Sequence, residues 1–354
     1  MNHFEKIAAK LKDRGLDAML ITSEPGEFYA MGFHGEGVAL ITPGKTWYYT
    51  DSRYIEAAQQ LISGAEVAQL PSGVRYRELV QDLVKETGVV KLGFEEQYMS
   101  VADHTIWTEN VEAEFVPASE LLTELRAVKD ADELAAMKEA QRITDEALLE
   151  ILNFIKPGLT ESEVAARLTY IMARKGAERN SFDPIVACGA NGSKPHAVPG
   201  PDVIQKGQFL TMDFGCKVGG YCSDMTRTVA IGQPSEEMEL VYNTVLKAQL
   251  TGIATARAGV TGKEVHEAAA KVIADAGYGE YFGHGFGHSL GIEIHENPNF
   301  STRNEKPIPA GALLSAEPGI YIPGKFGVRI EDVVMLTEGG CIDITHSPKQ
   351  LIVL

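Results

Sequence analysis

Asp213 and Asp224 stand eleven residues apart, and a second acidic pair, Glu317 and Glu331, follows about a hundred residues on. Between the pairs runs Gly283-His-Gly-Phe-Gly-His-Ser-Leu-Gly291, which supplies His284 and His288, with His295 just beyond. Four carboxylates and an imidazole are the donor set that two adjacent divalent cations need. Each acid sits in a short apolar stretch, where an unpaired carboxylate is costly to bury. One such acid alone would be a paired structural residue. Four that converge repel one another unless cations lie between them. The set points to the chemistry of a two-metal hydrolase. Carboxylate-rich ligation favours Mn, Co, Zn or Fe(II) over a sulfur-preferring metal.

The elements that position these acids are legible as two similar hairpins. Gly207–Gly215 reads as a strand and Tyr221–Val229 as the next, joined by a Lys217–Gly220 turn, so that Asp213 and Asp224 can face each other. Leu313–Gly319 and Val328–Val334 repeat the design around Pro323-Gly324. Lys156-Pro-Gly-Leu-Thr-Glu-Ser-Glu-Val164 returns 101 residues on as Arg257-Ala-Gly-Val-Thr-Gly-Lys-Glu-Val265. An offset of 104 superimposes Asp213 on Glu317, and one of 107 superimposes Asp224 on Glu331. The nearly constant offset favours an internal duplication over chance recurrence. Each half then gives two carboxylates to a central cleft, and a pseudo-twofold interface is a natural place for one.

The rest of the chain frames this unit. The first ~120 residues alternate strands with helices, as an α/β domain does. Helical spacing covers Phe4–Arg14 and Arg53–Leu61; strands are expected at 17–22, 37–42, 46–50, 89–94 and 113–117. Asp130-Ala-Asp-Glu133 reads as a helix start, and the helix is expected to run to about Ile155, before Pro157-Gly158. The domain boundary is placed just before it, dividing the chain into 1–125 and 126–354.

The 354 residues are 44% hydrophobic and 23% charged, the profile of an ordinary soluble globular protein. A net charge of -17 argues against nucleic acid as a partner, because phosphate binding needs a basic face. No apolar run is long enough to span a membrane, and the N-terminus lacks a signal core, so a cytoplasmic location is expected. Cys188, Cys216, Cys222 and Cys341 show no disulfide or zinc spacing. Cys216 and Cys222 flank the first acidic pair and are read as packing thiols ahead of soft metal ligands.

Five stretches together carry a resemblance. Thr211-Met-Asp-Phe-Gly215, Ser223-Asp-Met-Thr-Arg227, Gly287-His-Ser-Leu-Gly-Ile-Glu-Ile-His-Glu296, Glu317-Pro-Gly-Ile-Tyr321 and Val328-Arg-Ile-Glu-Asp332 are similar to those of the pita-bread metallopeptidases. Within that family the chain is most similar to the Xaa-Pro peptidases, aminopeptidase P and prolidase. The resemblance implies an α/β creatinase-like N-terminal domain and an α+β pita-bread catalytic domain with pseudo-twofold duplication. It implies two divalent metal ions, manganese first, held by Asp213, Asp224, His288, Glu317 and Glu331, with Asp224 and Glu331 bridging. Glu317 would also carry the proton, His196 would face the substrate, and His295 would stabilise the tetrahedral intermediate. His284 and Arg329 would help hold substrate or ligands. An ion pair of Arg329 with Glu331 or Asp332 is the competing reading. His34, in Gly32-Phe-His-Gly35, lies where related dimeric enzymes reach into the neighbouring subunit's site, so a homodimer is expected.

The implied substrates are proline-containing peptides. Prolidases of similar size carry an arginine shortly after the His-Glu of the second histidine motif, where this chain has Asn299, with Arg303 close by in sequence. That difference leans the reading towards aminopeptidase P, with prolidase as the alternative. Methionine aminopeptidase shares only the catalytic half. Creatinase hydrolyses without metals, and a non-enzymatic binding protein on this fold would have an eroded ligand set.

Overall fold

The computed structural model describes residues 2–354, which divide into two compact units, 2–126 and 127–354. The first unit is built on a six-stranded sheet. Its strands lie in the order Glu66–Gln69, Thr46–Thr50, Val38–Ile41, Ala18–Ile21, Lys91–Phe94, Glu114–Pro117. The expected strands all form, each trimmed by a residue or two at most. Helices Glu24–Met31, Tyr76–Thr87, Val101–Asn110 and Ser119–Ala127, and strand Glu66–Gln69, were not read from sequence. The first of these helices opens on Glu24-Pro-Gly26, which reads as a turn. It is a helix because Ser23 caps it, accepting from the Gly26 N–H at 2.9 Å. Two buried acids brace this unit. Glu95 accepts from the amides of Thr22 and Ser23, and Glu27 accepts from those of Gly35 and Gly37 and from the Tyr48 hydroxyl.

The second unit repeats one arrangement twice. In its first half, helices Ala131–Ile151 and Glu161–Arg174 pack on strands Ile185–Cys188, Gln208–Phe214 and Met225–Ile231. Helices Glu236–Thr255 and Gly262–Asp275 pack likewise in the second half. Their strands there are Gly287–Ser289, Leu313–Ala316 and Asp332–Thr337, within a five-stranded sheet. Each half has its own apolar core. Leu148, Leu168, Met212 and Val229 lie in one, and Val245, Val265, Leu314 and Val334 in the other. Asp130 caps the first long helix through the Asp132 and Glu133 amides, and Glu133 returns a bond to the Asp130 amide, as the sequence indicated. The helix ends at Ile151 rather than 155; the next residues form a turn held by bonds such as Phe154 N–H to Ile151 O at 2.9 Å.

The first acidic hairpin closes by backbone contact. Gly215 follows strand Gln208–Phe214, and a Cβ on it would lie 2.0 Å from the Ser223 carbonyl oxygen. Only glycine permits that approach. Gly215→Ala is expected to destabilise the unit by about 1–3 kcal/mol, the range for overpacking a filled site. Chemical denaturation measures this, and an unchanged midpoint would contradict the close packing.

Candidate metal centre and active site

The hairpin registers bring the four acids together. Asp213 lies near the end of its strand, opposite Thr226, and Asp224 immediately precedes the partner strand. In the second half Ala316 pairs with Asp332, so Glu317 and Glu331 leave adjacent strand ends. His288 sits on the short strand beside Leu313–Ala316. The five residues line one cavity of about 520 Å³, together with His196, His284, His295, Tyr321 and Arg329.

Within it, Asp224, His288 and Glu331 each offer a donor atom, all within 4.8 Å of one another. His288 Nε2 lies 3.3 Å from Glu317 Oε1 and 3.6 Å from Asp224 Oδ2. Its Nδ1 is 3.1 Å from the Ser289 carbonyl, a bond that fixes Nδ1 as the protonated nitrogen and leaves Nε2 free as a donor to a cation. Ser315 ties the strand ends together, accepting from the His288 amide and donating to Glu317.

The carboxylates are oriented by a few specific bonds. Thr226 Oγ1 donates to Glu331 Oε2 at 2.7 Å. Arg329 Nη2 donates to Asp213 Oδ2 at 2.6 Å. In each of these two acids, one oxygen is engaged and the other is not. Asp213 Oδ1, Asp224 Oδ1 and Glu331 Oε1 are buried and have no hydrogen-bond partner. A buried carboxylate oxygen without a partner is strongly unfavourable unless a cation occupies its lone pairs. The donor set, hard oxygen with one imidazole, fits divalent ions.

The electrostatics agree. Burial, and then Glu331 and Asp213, push the Asp224 carboxyl well above its usual range. Glu331 is raised by burial and then by Glu317 and Asp213. Glu317 is also raised by burial, against the lowering influence of His284 and Arg329. Burial pushes His284, His288 and His295 down, towards the neutral imidazole.

Arg329 does not make the ion pair with Glu331 or Asp332 that is the competing reading; it engages Asp213, one of the candidate ligands. Its remaining donors reach Thr226, the Pro195 carbonyl and the Tyr321 hydroxyl. Asp332 is claimed instead by Arg227, Gln249 and Lys349. His284 shares Tyr321, at 3.0 Å from its Nε2. The His295 ring stands edge-on to His288, with centroids 4.4 Å apart. His34 belongs to the N-terminal unit, where it stacks on Phe28 and lies 3.7 Å from Glu24. Cys216 is a packing thiol that bonds the Ala140 carbonyl, and Cys222 bonds the Ile292 carbonyl. Both serve the backbone rather than the cavity. Arg303 is exposed and outside the lining, whereas Asn299 and Ser301 belong to it.

Tyr321, Thr226 and Ser315 escaped the sequence reading. Tyr321 ends a quoted motif, but a phenol beside an acidic motif carries no sign of its partner. Thr226 and Ser315 lie two residues from Asp224 and Glu317, the same-face spacing of a strand, which was the available signal.

A model of the metallopeptidase family M24 matches residues 135–338, and one of the creatinase/prolidase N-terminal domain matches residues 4–128. The chain belongs to metallopeptidase family M24, with a creatinase-type N-terminal domain ahead of a pita-bread catalytic domain. It is similar to the structure of a Xaa-Pro dipeptidase from Bacillus anthracis, at 42% identity and a TM-score of 0.96 over 99% of each chain. The prolidase of Pyrococcus horikoshii superimposes with a TM-score of 0.92 at 32% identity, over 99% of each chain. An X-Pro aminopeptidase from Thermotoga maritima does so at 0.91 and 36%, over 96% of this chain and 98% of its own. No described helix is long and apolar enough to cross a membrane.

Raised carboxyls make the site sensitive to pH. A folded pKa above the unfolded one stabilises the fold while the group is protonated. That contribution is lost as pH climbs from the unfolded carboxylate range through the raised folded value. The metal-free protein therefore loses stability from Asp224 and Glu331 as pH rises above the ordinary carboxylate range, and bound cations would offset that loss. The rise in melting temperature on adding Mn²⁺ to chelator-treated protein is expected to be larger at pH 8 than at pH 5. Differential scanning fluorimetry gives the comparison, and the reverse order would refute this account of the carboxylates.

Proposed function

We propose that the chain hydrolyses the bond preceding proline in short peptides, using two divalent ions with manganese as the native choice. The observation that carries this is the set of three partnerless buried carboxylate oxygens, from Asp213, Asp224 and Glu331, in a cavity that His196, His284 and His295 also line. Asp213, Asp224, His288, Glu317 and Glu331 would hold the ions. When bound, the ions supply Lewis-acid activation of water and of the scissile carbonyl.

The protein groups do the rest. Burial gives Glu317 a high proton affinity, suited to accepting a proton and returning it to the leaving amine. A neutral His295 donates an N–H to the developing oxyanion. His196 bonds the substrate near the scissile amide. Arg329, fully committed to Asp213, Tyr321 and the backbone, fixes a ligand rather than touching substrate. Proline has no N–H, so its subsite needs an apolar wall, for which Phe182, Ile185 and Ile294 are the lining candidates. His34 would act across a homodimer, in a cytoplasmic enzyme.

The named relatives support dipeptide cleavage better than the aminopeptidase P type: the Bacillus anthracis protein is a Xaa-Pro dipeptidase and the Pyrococcus horikoshii protein a prolidase. One observation favours longer peptides. Among the described residues Arg329 is the one guanidinium lining the cavity and is already committed, and Asn299 lines it where the resemblance would place a carboxylate-binding arginine. Kinetics on Ala-Pro and Ala-Pro-Ala decide between them. A dipeptide preference is expected, and a preference for the tripeptide would restore the aminopeptidase reading.

Asp224→Asn and Glu331→Gln are each expected to lose at least one equivalent of metal and nearly all hydrolysis. Elemental analysis alongside a peptidase assay checks this, and activity persisting in fully metal-free protein would refute the mechanism. Light scattering tests the dimer.

A further inference from the structure

Each half of the catalytic unit carries a cleft histidine on a strap that returns to the start of a helix. The strap from Cys188 to Ile204 holds His196 and meets helix Glu161–Arg174. The stretch from His288 to Ile308 holds His295 and meets helix Gly262–Asp275. Several backbone bonds recur in both. Gly158 N–H donates to Ile204 O and Ile204 N–H to Leu159 O, at 3.0 and 2.9 Å. Gly259 N–H donates to Ile308 O and Ile308 N–H to Val260 O, both at 2.9 Å. Thr160 bridges to Val203 and Thr261 to Pro307. Ser162 N–H reaches Gly200 O, and Lys263 N–H reaches Asn304 O.

The side chain that pins the strap differs. Glu161 is 0% exposed, and its carboxylate accepts from Cys188 N–H at 2.7 Å, Asn191 Nδ2 at 2.8 Å and Gly200 N–H at 3.0 Å. It thereby joins both ends of the segment around His196 with charge-assisted bonds. The equivalent position in the second half is Gly262. A Cβ there would lie 2.0 Å from the Asn299 carbonyl oxygen and 2.9 Å from Asn304 Nδ2, which itself donates to that oxygen. Close backbone packing takes the place of the carboxylate.

We propose that Glu161 is a positioning residue for His196 and Gly262 its counterpart for His295. This rests on the reading of the two histidines as substrate-facing groups. Glutamine at 161 would aim an amide N–H₂ at a donor, so the strap loses at least one anchor while the helix start keeps its shape.

The test uses the full-length, metal-loaded protein and Ala-Pro, with Mn²⁺ affinity by calorimetry and melting temperature measured in parallel. Glu161→Gln is expected to lower kcat/KM by about 10- to 100-fold, the cost of roughly 1 Å of misplacement. Mn²⁺ affinity should stay within about twofold. The double variant Glu161→Gln/His196→Ala should be no worse than His196→Ala alone, because both changes remove the same group's contribution. Losses that multiply in the double variant would overturn the proposal, as would a Glu161→Gln protein with unchanged kcat/KM. An unimpaired His196→Ala would instead overturn the reading of His196 on which the proposal rests. If Glu161→Gln fails to fold, Asn191→Ala removes one anchor from the strap side and must show the same non-additivity with His196→Ala. Gly262→Ala paired with His295→Ala makes the matching test in the second half.

Discussion

Four carboxylates held within reach of one another, away from solvent, are the constraint on which the catalytic unit depends. Their mutual repulsion and lost hydration both favour the protonated acids, as the raised Asp224, Glu317 and Glu331 carboxyls show. No hydrophobic core removes that cost by itself. Divalent cations bound among the acids would, because opposite charge offsets like-charge repulsion. The membership of the chain in a metallopeptidase family accords with that requirement.

Around that centre the protein spends its polar groups on orientation. Thr226 and Arg329 each occupy one oxygen of a carboxylate and leave the other without a hydrogen-bond partner. Arg227 works one layer further out. It donates to the carbonyls of Thr226 and Glu331, to Asp332, and to the carbonyls of Ser347 and Pro348. Gln249 and Lys349 complete the bonding of Asp332, so this fully buried charge is paired on all sides. One guanidinium therefore links the strand that follows Asp224, the backbone of Glu331 and the segment near the C-terminus.

Much of the catalytic half was legible because its chemistry is unusual. Acids in apolar strands stand out, and their recurrence at a near-constant offset exposed the duplication behind the two hairpins. The N-terminal unit was less legible. Helix Val101–Asn110 buries no residue fully, so it has no strong apolar stripe to read. Helix Glu24–Met31 hides behind a Pro-Gly pair that signals a turn. The partner of Arg329 could not be read at all: Asp213 lies 116 positions away, and only the folding of one hairpin against the other makes them neighbours. Sequence distance favoured the adjacent acids, and the structure gave those to Thr226 and Arg227.

The two straps have the same backbone pattern and different pins. Descent from one repeated segment explains the shared hydrogen bonds, since a backbone pattern survives changes of side chain. The pins have since parted ways, one half relying on charge and the other on the absence of a side chain. Their tolerances to change are therefore opposite in kind. Position 161 accepts no loss of charge and position 262 no gain of volume, so drift in one copy of the repeat is no guide to what the other will bear.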